Sequence, residues 1–296
     1  PELAAIAAHH LERGGDGSAA ADLYERAATD ALARYANAES LSHLRSALAL
    51  GHRDDASLHE RVADLLTLEG AYREAIASYE KAAALGADIG SIGAKLGNVH
   101  HRLGDFDAAE AHYLEATDAV GDGPGAARLL ADRALNAHRA DRPGDATDLA
   151  ERALQAAIEG NDPKALAYAH NICGVVASRG GDGAAAREHL QASLKLAERS
   201  GDHAAIAAVL NNLAIALRAD GHTDEALAQA ERALELCRRI GDRHREAAVL
   251  SNIADVLRDT GRTDEAVEHI RASAMILADV GEPAEGLPEI WKLTEW

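Results

Sequence analysis

The sequence predicts an all-α protein, a right-handed α-solenoid of stacked helix–turn–helix repeats. Three observations carry that expectation. The first is a paragraph written twice. Ala207-Ala-Val-Leu-Asn-Asn-Leu-Ala, Gly221-His-Thr-Asp-Glu-Ala and Ala230-Glu-Arg-Ala-Leu are followed 40 residues later by Ala247-Ala-Val-Leu-Ser-Asn-Ile-Ala, Gly261-Arg-Thr-Asp-Glu-Ala and Ile270-Arg-Ala-Ser-Ala. A fixed period of this kind marks a repeat architecture, in which each unit buries its apolar face on its neighbours. The second is periodicity. Apolar residues recur at i, i+3, i+4 and i+7, punctuated every 15 to 20 residues by Gly-Asp, Asp-Gly or Pro-Gly, and no run alternates as a strand would. The third is composition. The chain is 47% hydrophobic but 3% aromatic, and much of its apolar content is Ala. Ala favours helix and allows helices to approach closely.

Taken in order, residues 1–50 read as three helices. Leu3 to Arg13 is the first, Ser18 caps a second that runs to about Arg34, and Asn37 opens the third. Two 34-residue units follow. Ser57–Glu69 pairs with Tyr72–Leu85 around Gly70, and Ser91–Leu103 pairs with Phe106–Val120 around Gly104. Gly121-Asp-Gly-Pro-Gly is the strongest break, and it divides an N-terminal part, 1–120, from a C-terminal part, 121–296, of one continuous solenoid. Ala126–Gly160 is a degenerate unit. The next three units have longer helices: Pro163–Ser200, His203–Ile240 and Arg243–Val280. At Gly160, Gly201 and Gly241 the glycine is expected to take a left-handed cap, and the Asp after it to cap the incoming helix. Residues 286–296, with both tryptophans, read as a short amphipathic helix, either a cap over the last repeat or a docking helix whose Trp296 meets another domain or a second copy. The total is about seven helix pairs.

Charge narrows the function. The formal net charge is −19, with five Lys against 25 Arg and no basic run. Nucleic-acid binders need clustered cations, so direct binding to nucleic acid or to anionic membranes is not expected. Nor does any apolar run reach the length of about 18 residues that spans a bilayer. Two Cys in different repeats suggest a reducing, cytoplasmic setting rather than a disulfide framework. Because the chain begins Pro-Glu-Leu rather than with Met, it reads as a piece of a longer protein.

Catalysis and metal binding are not expected, and no cofactor motif is present. Adjacent His on a helix, as in His9-His10 and His100-His101, point about 100° apart and cannot chelate one ion alone. Acids such as Asp105 and Asp107 fall on solvated turns that lack the burial acid/base work requires.

The units resemble the tetratricopeptide repeat family. In that family a small residue in helix A, a large apolar residue near the turn and two Ala in helix B let the helix pair pack. Here Leu96-Gly97, Gly104-Asp-Phe106, Ala109, Tyr113 and Ala116 match. So do Val62-Ala63, Gly70-Ala-Tyr72, Ala75, Tyr79 and Ala82, and Leu213-Ala214, Gly221, Ala226, Ala230 and Ala233. The match weakens at 126–160, where Arg133 falls near an expected apolar position, and at 18–50, where one long helix serves two pairs. A second resemblance concerns context. His9-His10-Leu-Glu-Arg-Gly-Gly-Asp, Ala20-Ala-Asp-Leu-Tyr-Glu-Arg-Ala and Pro288-Glu-Ile-Trp-Lys-Leu-Thr-Glu-Trp look like the repeat regions of large bacterial STAND-type signalling ATPases, which carry cyclase or LuxR-type output domains.

The resemblance implies a non-catalytic scaffold that binds a protein or peptide partner in a concave groove lined by helix A. Asn171, Asn212 and Asn252 share one helix A position at spacings of 41 and 40. An Asn amide both donates and accepts, so this ladder either grips an extended backbone or braces one repeat to the next. Arg218 and Arg258 follow on the same helices, and Lys95, Asn98 and Arg102 occupy comparable faces of an earlier unit. Two other readings stand beside this one: a self-association module, and a small-molecule sensor with a closed apolar pocket.

Overall fold

The computed structural model describes residues 2–121, 123 and 125–280, and every element among them is a helix. The helices are α1 (Glu2–Arg13), α2 (Gly17–Leu32), α3 (Asn37–Ala49), α4 (Asp55–Glu69), α5 (Tyr72–Ala84), α6 (Ile89–Leu103), α7 (Phe106–Val120) and α8 (Ala126–Arg139). They continue through α9 (Pro143–Glu159), α10 (Pro163–Arg179), α11 (Gly183–Ser200), α12 (His203–Ala219), α13 (Thr223–Ile240), α14 (Arg243–Asp259) and α15 (Thr263–Asp279). The expected Trp-bearing tail lies outside the described residues.

The turns follow from local chemistry. Gly70, Gly104, Gly201 and Gly241 end their helices in the left-handed conformation, at φ of 83°, 80°, 67° and 76°. Asp202 and Asp242 then cap α12 and α14 by accepting from the amides of Ala205 and Arg245. Two caps differ from expectation. At the 160 turn Asn161 takes the left-handed position (φ 48°) while Gly160 stays helical, because an Asn amide tolerates that region and the turn reaches Asp162 one residue later. At the start of α2 the cap is Asp16, not Ser18. Its carboxylate accepts from Ala19 N, whereas Ser18 already lies inside the helix.

Each pair packs through its smallest residues. A Cβ on Gly97 would lie 2.5–2.9 Å from the Tyr113 ring, and one on Gly174 would lie 2.6 Å from Leu190 Cγ. Glycine at these two points lets the aromatic and aliphatic side chains of helix B lie flat on helix A. α2 packs on both α1 and α3, as the long early helix suggests, and Ser40 Oγ ties α3 to the Ala28 carbonyl at 2.9 Å. In the degenerate unit Arg133 is accommodated by an ion pair to Glu110 of α7 at 2.8 Å. Packing continues over the Gly121–Gly125 segment, where Ala109, Tyr113 and Ala116 share a cluster with Leu129.

The first helices of successive pairs, α6, α8, α10, α12 and α14, touch one another in turn, and α14 also touches α4. The inner helices therefore form a ring: the solenoid completes one turn and its two ends meet.

Candidate functional site

The seam where the ends meet is built from residues 140 (Arg102 and Asp242) to 210 (Gly70 and Val280) positions apart in the chain. Arg102, from the last turn of α6, forms a two-pronged ion pair with Asp242 at 3.0 and 3.2 Å. Arg245 meets the same carboxylate at 2.8 Å. Asp242 is 1% exposed. Burial alone would raise its carboxyl pKa, but Arg245 and Arg102 outweigh that and hold it well below the usual carboxylate range. Tyr72 Oη shares a hydrogen bond with His244 Nδ1 at 2.9 Å, and Tyr35 Oη with His203 Nδ1 at 2.6 Å. Asn37 Nδ2 donates to the Ile240 carbonyl at 2.9 Å, and Val280 packs against Gly70.

Polar side chains are buried among the first helices. Asp132, 2% exposed, accepts from Tyr168 Oη at 2.6 Å and pairs with Arg128 at 3.4 Å. The Arg128 guanidinium lies over the Tyr168 ring, 3.8 Å from its centroid. Asn136, fully buried, donates to the Phe106 carbonyl at 2.9 Å and shares a hydrogen bond with His101. Burial, followed by Arg102, pushes the His244 imidazole down to about 3. Burial, followed by Arg179 and Arg139, pushes His138 down to about 4. Both rings are therefore neutral at physiological pH.

The residues singled out from sequence fall along this inner face, but most already have partners. Asn171, Asn212 and Asn252 are joined in a chain of amides through Asn211, a residue not singled out from the sequence. Asn212 Nδ2 donates to Asn171 Oδ1 at 3.0 Å, and Asn252 Nδ2 donates to Asn211 Oδ1 at 2.8 Å. Asn171 is buried; Asn212 and Asn252 are half-buried. Arg218 pairs with Asp255 at 3.2 Å and Asp259 at 2.6 Å, and Arg258 meets Asp255 at 3.0 Å. Lys95 pairs with Glu60 and Asp64 at 2.8 and 2.7 Å. Asn98 accepts from Tyr113 Oη at 3.2 Å and donates to the Ala94 carbonyl. Arg102 is part of the seam.

Arg128, Asp132, Asn136, Tyr168 and Arg245 were not anticipated. A signal for three of them was present. Arg128, Asp132 and Asn136 recur every four residues on the first helix of the degenerate unit, which places a polar stripe where an apolar one is expected. The seam has no local signal, because its partners are far apart in sequence.

Neither thiol belongs to the site. Cys173 and Cys237 are buried, and burial pushes them up to about 11 and about 12. Among the described residues no group of three or more His, Cys, Asp or Glu is placed to hold a metal ion, and no helix is long and apolar enough to cross a membrane.

A family model described as tetratricopeptide repeat matches residues 91–159, 165–239 and 223–277, more than half of the chain. The chain belongs to the tetratricopeptide repeat family. No curated protein sequence matches it. Among solved structures, this tetratricopeptide repeat chain is similar to a Rap protein complexed with competence and sporulation factor, with TM-score 0.60, 13% identity and coverage of 88% of this chain and 76% of that one. It is also similar to yeast Tom70, with TM-score 0.59, 17% identity and coverage of 93% of this chain and 54% of Tom70. A tetratricopeptide repeat protein from Parabacteroides merdae matches with TM-score 0.54, 13% identity and coverage of 92% and 96%. The chain spans about half the length of Tom70. These likenesses are to the fold.

Proposed function

We propose that the chain is a non-catalytic scaffold that receives a protein or peptide segment against the inner ring of helices. The observation that carries this reading is the polar character of that ring. Buried Asp132, Asn136 and Asn171 and half-buried Asn212 and Asn252 all sit on first helices, in positions where a purely structural core would be apolar. An Asn amide has two donors and two acceptor lone pairs. Asn212 and Asn252 each direct one donor to a neighbouring amide, so they brace adjacent repeats and keep capacity for a peptide backbone. A lumen of this chemistry suits a polar, extended segment better than an apolar metabolite. A Rap protein of similar fold is seen in complex with competence and sporulation factor, which supports this reading.

The regulatory setting belongs to the same proposal. The resemblance of the opening residues to the repeat regions of STAND-type ATPases supports reading this chain as the sensor of a larger bacterial signalling protein. Partner capture would impose or release restraint on its ATPase or output domain.

The test is a photo-crosslinking amino acid placed at Ala208, half-buried one turn before Asn212, and in a second sample at exposed Glu231 of α13. The inner position is expected to trap a discrete partner that then binds the purified chain, while the outer position traps none. Equal capture at both positions, or capture at Glu231 alone, would contradict an inner-face site.

A further inference from the structure

We propose that residues 281–296 dock in a groove along α3 and lie across the seam, so that the chain's own C-terminal segment straps the two ends of the ring together. The surface belongs to α3 and to helix ends at the seam, and its occupancy is independent of the peptide-binding reading.

The groove has two parts. The first, of about 760 Å³, lies at the seam itself. Tyr35 and Glu39 at the start of α3, Glu69 and Ala71 at the α4–α5 turn, Arg239 of α13 and Asp279 of α15 are among its walls. The second, of about 540 Å³, follows α3 from Ala38 through Leu41 and Arg45 to Ala49, one face of that helix, with Glu69 as its other wall. Ala38 and Glu69 line both parts, so the two are continuous. Ala38 and Ala49 are exposed and carry little bulk, which leaves room for large side chains against α3.

The path of the chain points the segment into this groove. At Val280 the backbone has left α15 in an extended conformation, φ −92° and ψ 117°. Val280 is buried, packs on Gly70 and belongs to the core cluster of the first helices. Asp279 and Ala71, the neighbours of that contact, both line the seam part of the groove. Residue 281 therefore starts at the groove's edge. The ten residues from Val280 to Ile290 reach up to about 33 Å when extended, and α3 is about 20 Å long, so the segment can cover the whole groove.

The segment also has the matching chemistry. Leu287, Ile290, Trp291, Leu293 and Trp296 supply the bulk that Ala38 and Ala49 lack. Glu282 and Glu285 come first, next to the seam. There Arg238 and Arg243 are paired with Glu246 and Asp279, but Arg239 touches only the Tyr35 ring and pairs with no carboxylate among the described residues. Lys292 is the one cation of the segment, and half-buried Glu69, common to both parts of the groove, has no ion pair among the described residues. The rival surface is the outer face of α15, where Val267 and Met275 are exposed. The chain has already turned away from that face at Val280.

Trp291 and Trp296 are the two tryptophans of the chain, so intrinsic fluorescence reports on the segment alone. The experiment compares emission and acrylamide quenching in the native chain, in Ala38→Glu and Ala49→Glu, and in Val267→Glu and Met275→Glu, each with helical circular dichroism retained. The native emission is expected at short wavelength and protected from quencher. The two α3 variants should shift it to longer wavelength and raise quenching severalfold, and the two α15 variants should leave it unchanged. Solvent-like emission from the native chain would overturn the docking. So would a shift on the α15 variants alone, which would make the segment a cap on the last repeat, or no shift on any variant. A photo-crosslinking amino acid at position 291 gives the same answer without altering the groove. Crosslinks to residues 37–49 are expected, and crosslinks to 263–279 instead would overturn the assignment.

Discussion

Asp242 shows how one residue can hold two jobs in this chain. Its carboxylate caps α14 and also binds Arg102 and Arg245, so the start of one helix and the closure of the ring depend on the same two oxygens. Replacing it with Ala removes the buried carboxylate that Arg102 and Arg245, both mostly buried, share. The expected loss is about 3–5 kcal/mol, read as a lower denaturation midpoint in urea. The same neighbourhood sets the response to acid. His244 and His138 have folded pKa values below that of a free imidazole, about 6.5, so the unfolded chain binds more protons once the pH falls through that value. Stability is therefore full above about pH 6.5 and declines as pH falls towards 4. The depressed Asp242 carboxyl adds its own loss only below about pH 4. Thermal midpoints measured from pH 8 to pH 4 should be level first and then fall. A midpoint that rose between pH 6.5 and 5 would contradict the assignment of neutral, buried imidazoles.

At the scale of the helix pair, most of the architecture was legible in the sequence. Helices such as Phe106–Val120 and the turns at Gly70, Gly104, Gly201 and Gly241 could be placed because apolar period, helix-ending glycine and capping Asp all point to the same boundary. The exceptions are local competitions. Asp16 preceded Ser18 as a cap, and Asn161 replaced Gly160 at the left-handed position, because an acid or an amide close by does the same job. The small helix A residues were also legible, and they carry a test. A methyl group at Gly97 would enter the Tyr113 ring, and the backbone of α7 limits how far that ring can retreat. Gly97→Ala is expected to destabilise the protein by about 1–3 kcal/mol through overpacking, measured by urea denaturation. Gly104→Ala, which has open space around its Cβ position but φ of 80°, should cost about 1–2 kcal/mol through the backbone alone. A neutral Gly97→Ala would mean that the two helices are further apart than the structure places them.

Over the whole molecule, sequence reasoning reached the stacking and stopped short of the closure. It put Asn171, Asn212 and Asn252 on one face, because a fixed period repeats a fixed position. It could not show that Arg102 would be occupied by Asp242, 140 residues away, since curvature accumulates from small rotations at every unit interface. That curvature turns an open groove into a ring of first helices with α4 against α14. Closure is therefore the central claim, and a distance across the seam tests it most directly. Spin labels on Ser42 of α3 and Glu235 of α13, both exposed, flank the seam without belonging to it. The buried Cys173 and Cys237, with thiols pushed up to about 11 and about 12, should react slowly with the label. Pulsed dipolar spectroscopy should give a single narrow distance distribution that broadens in the Asp242→Ala variant. A long, broad distribution in the native chain, unchanged by that substitution, would show that the ends do not meet and that the inner face is an open groove.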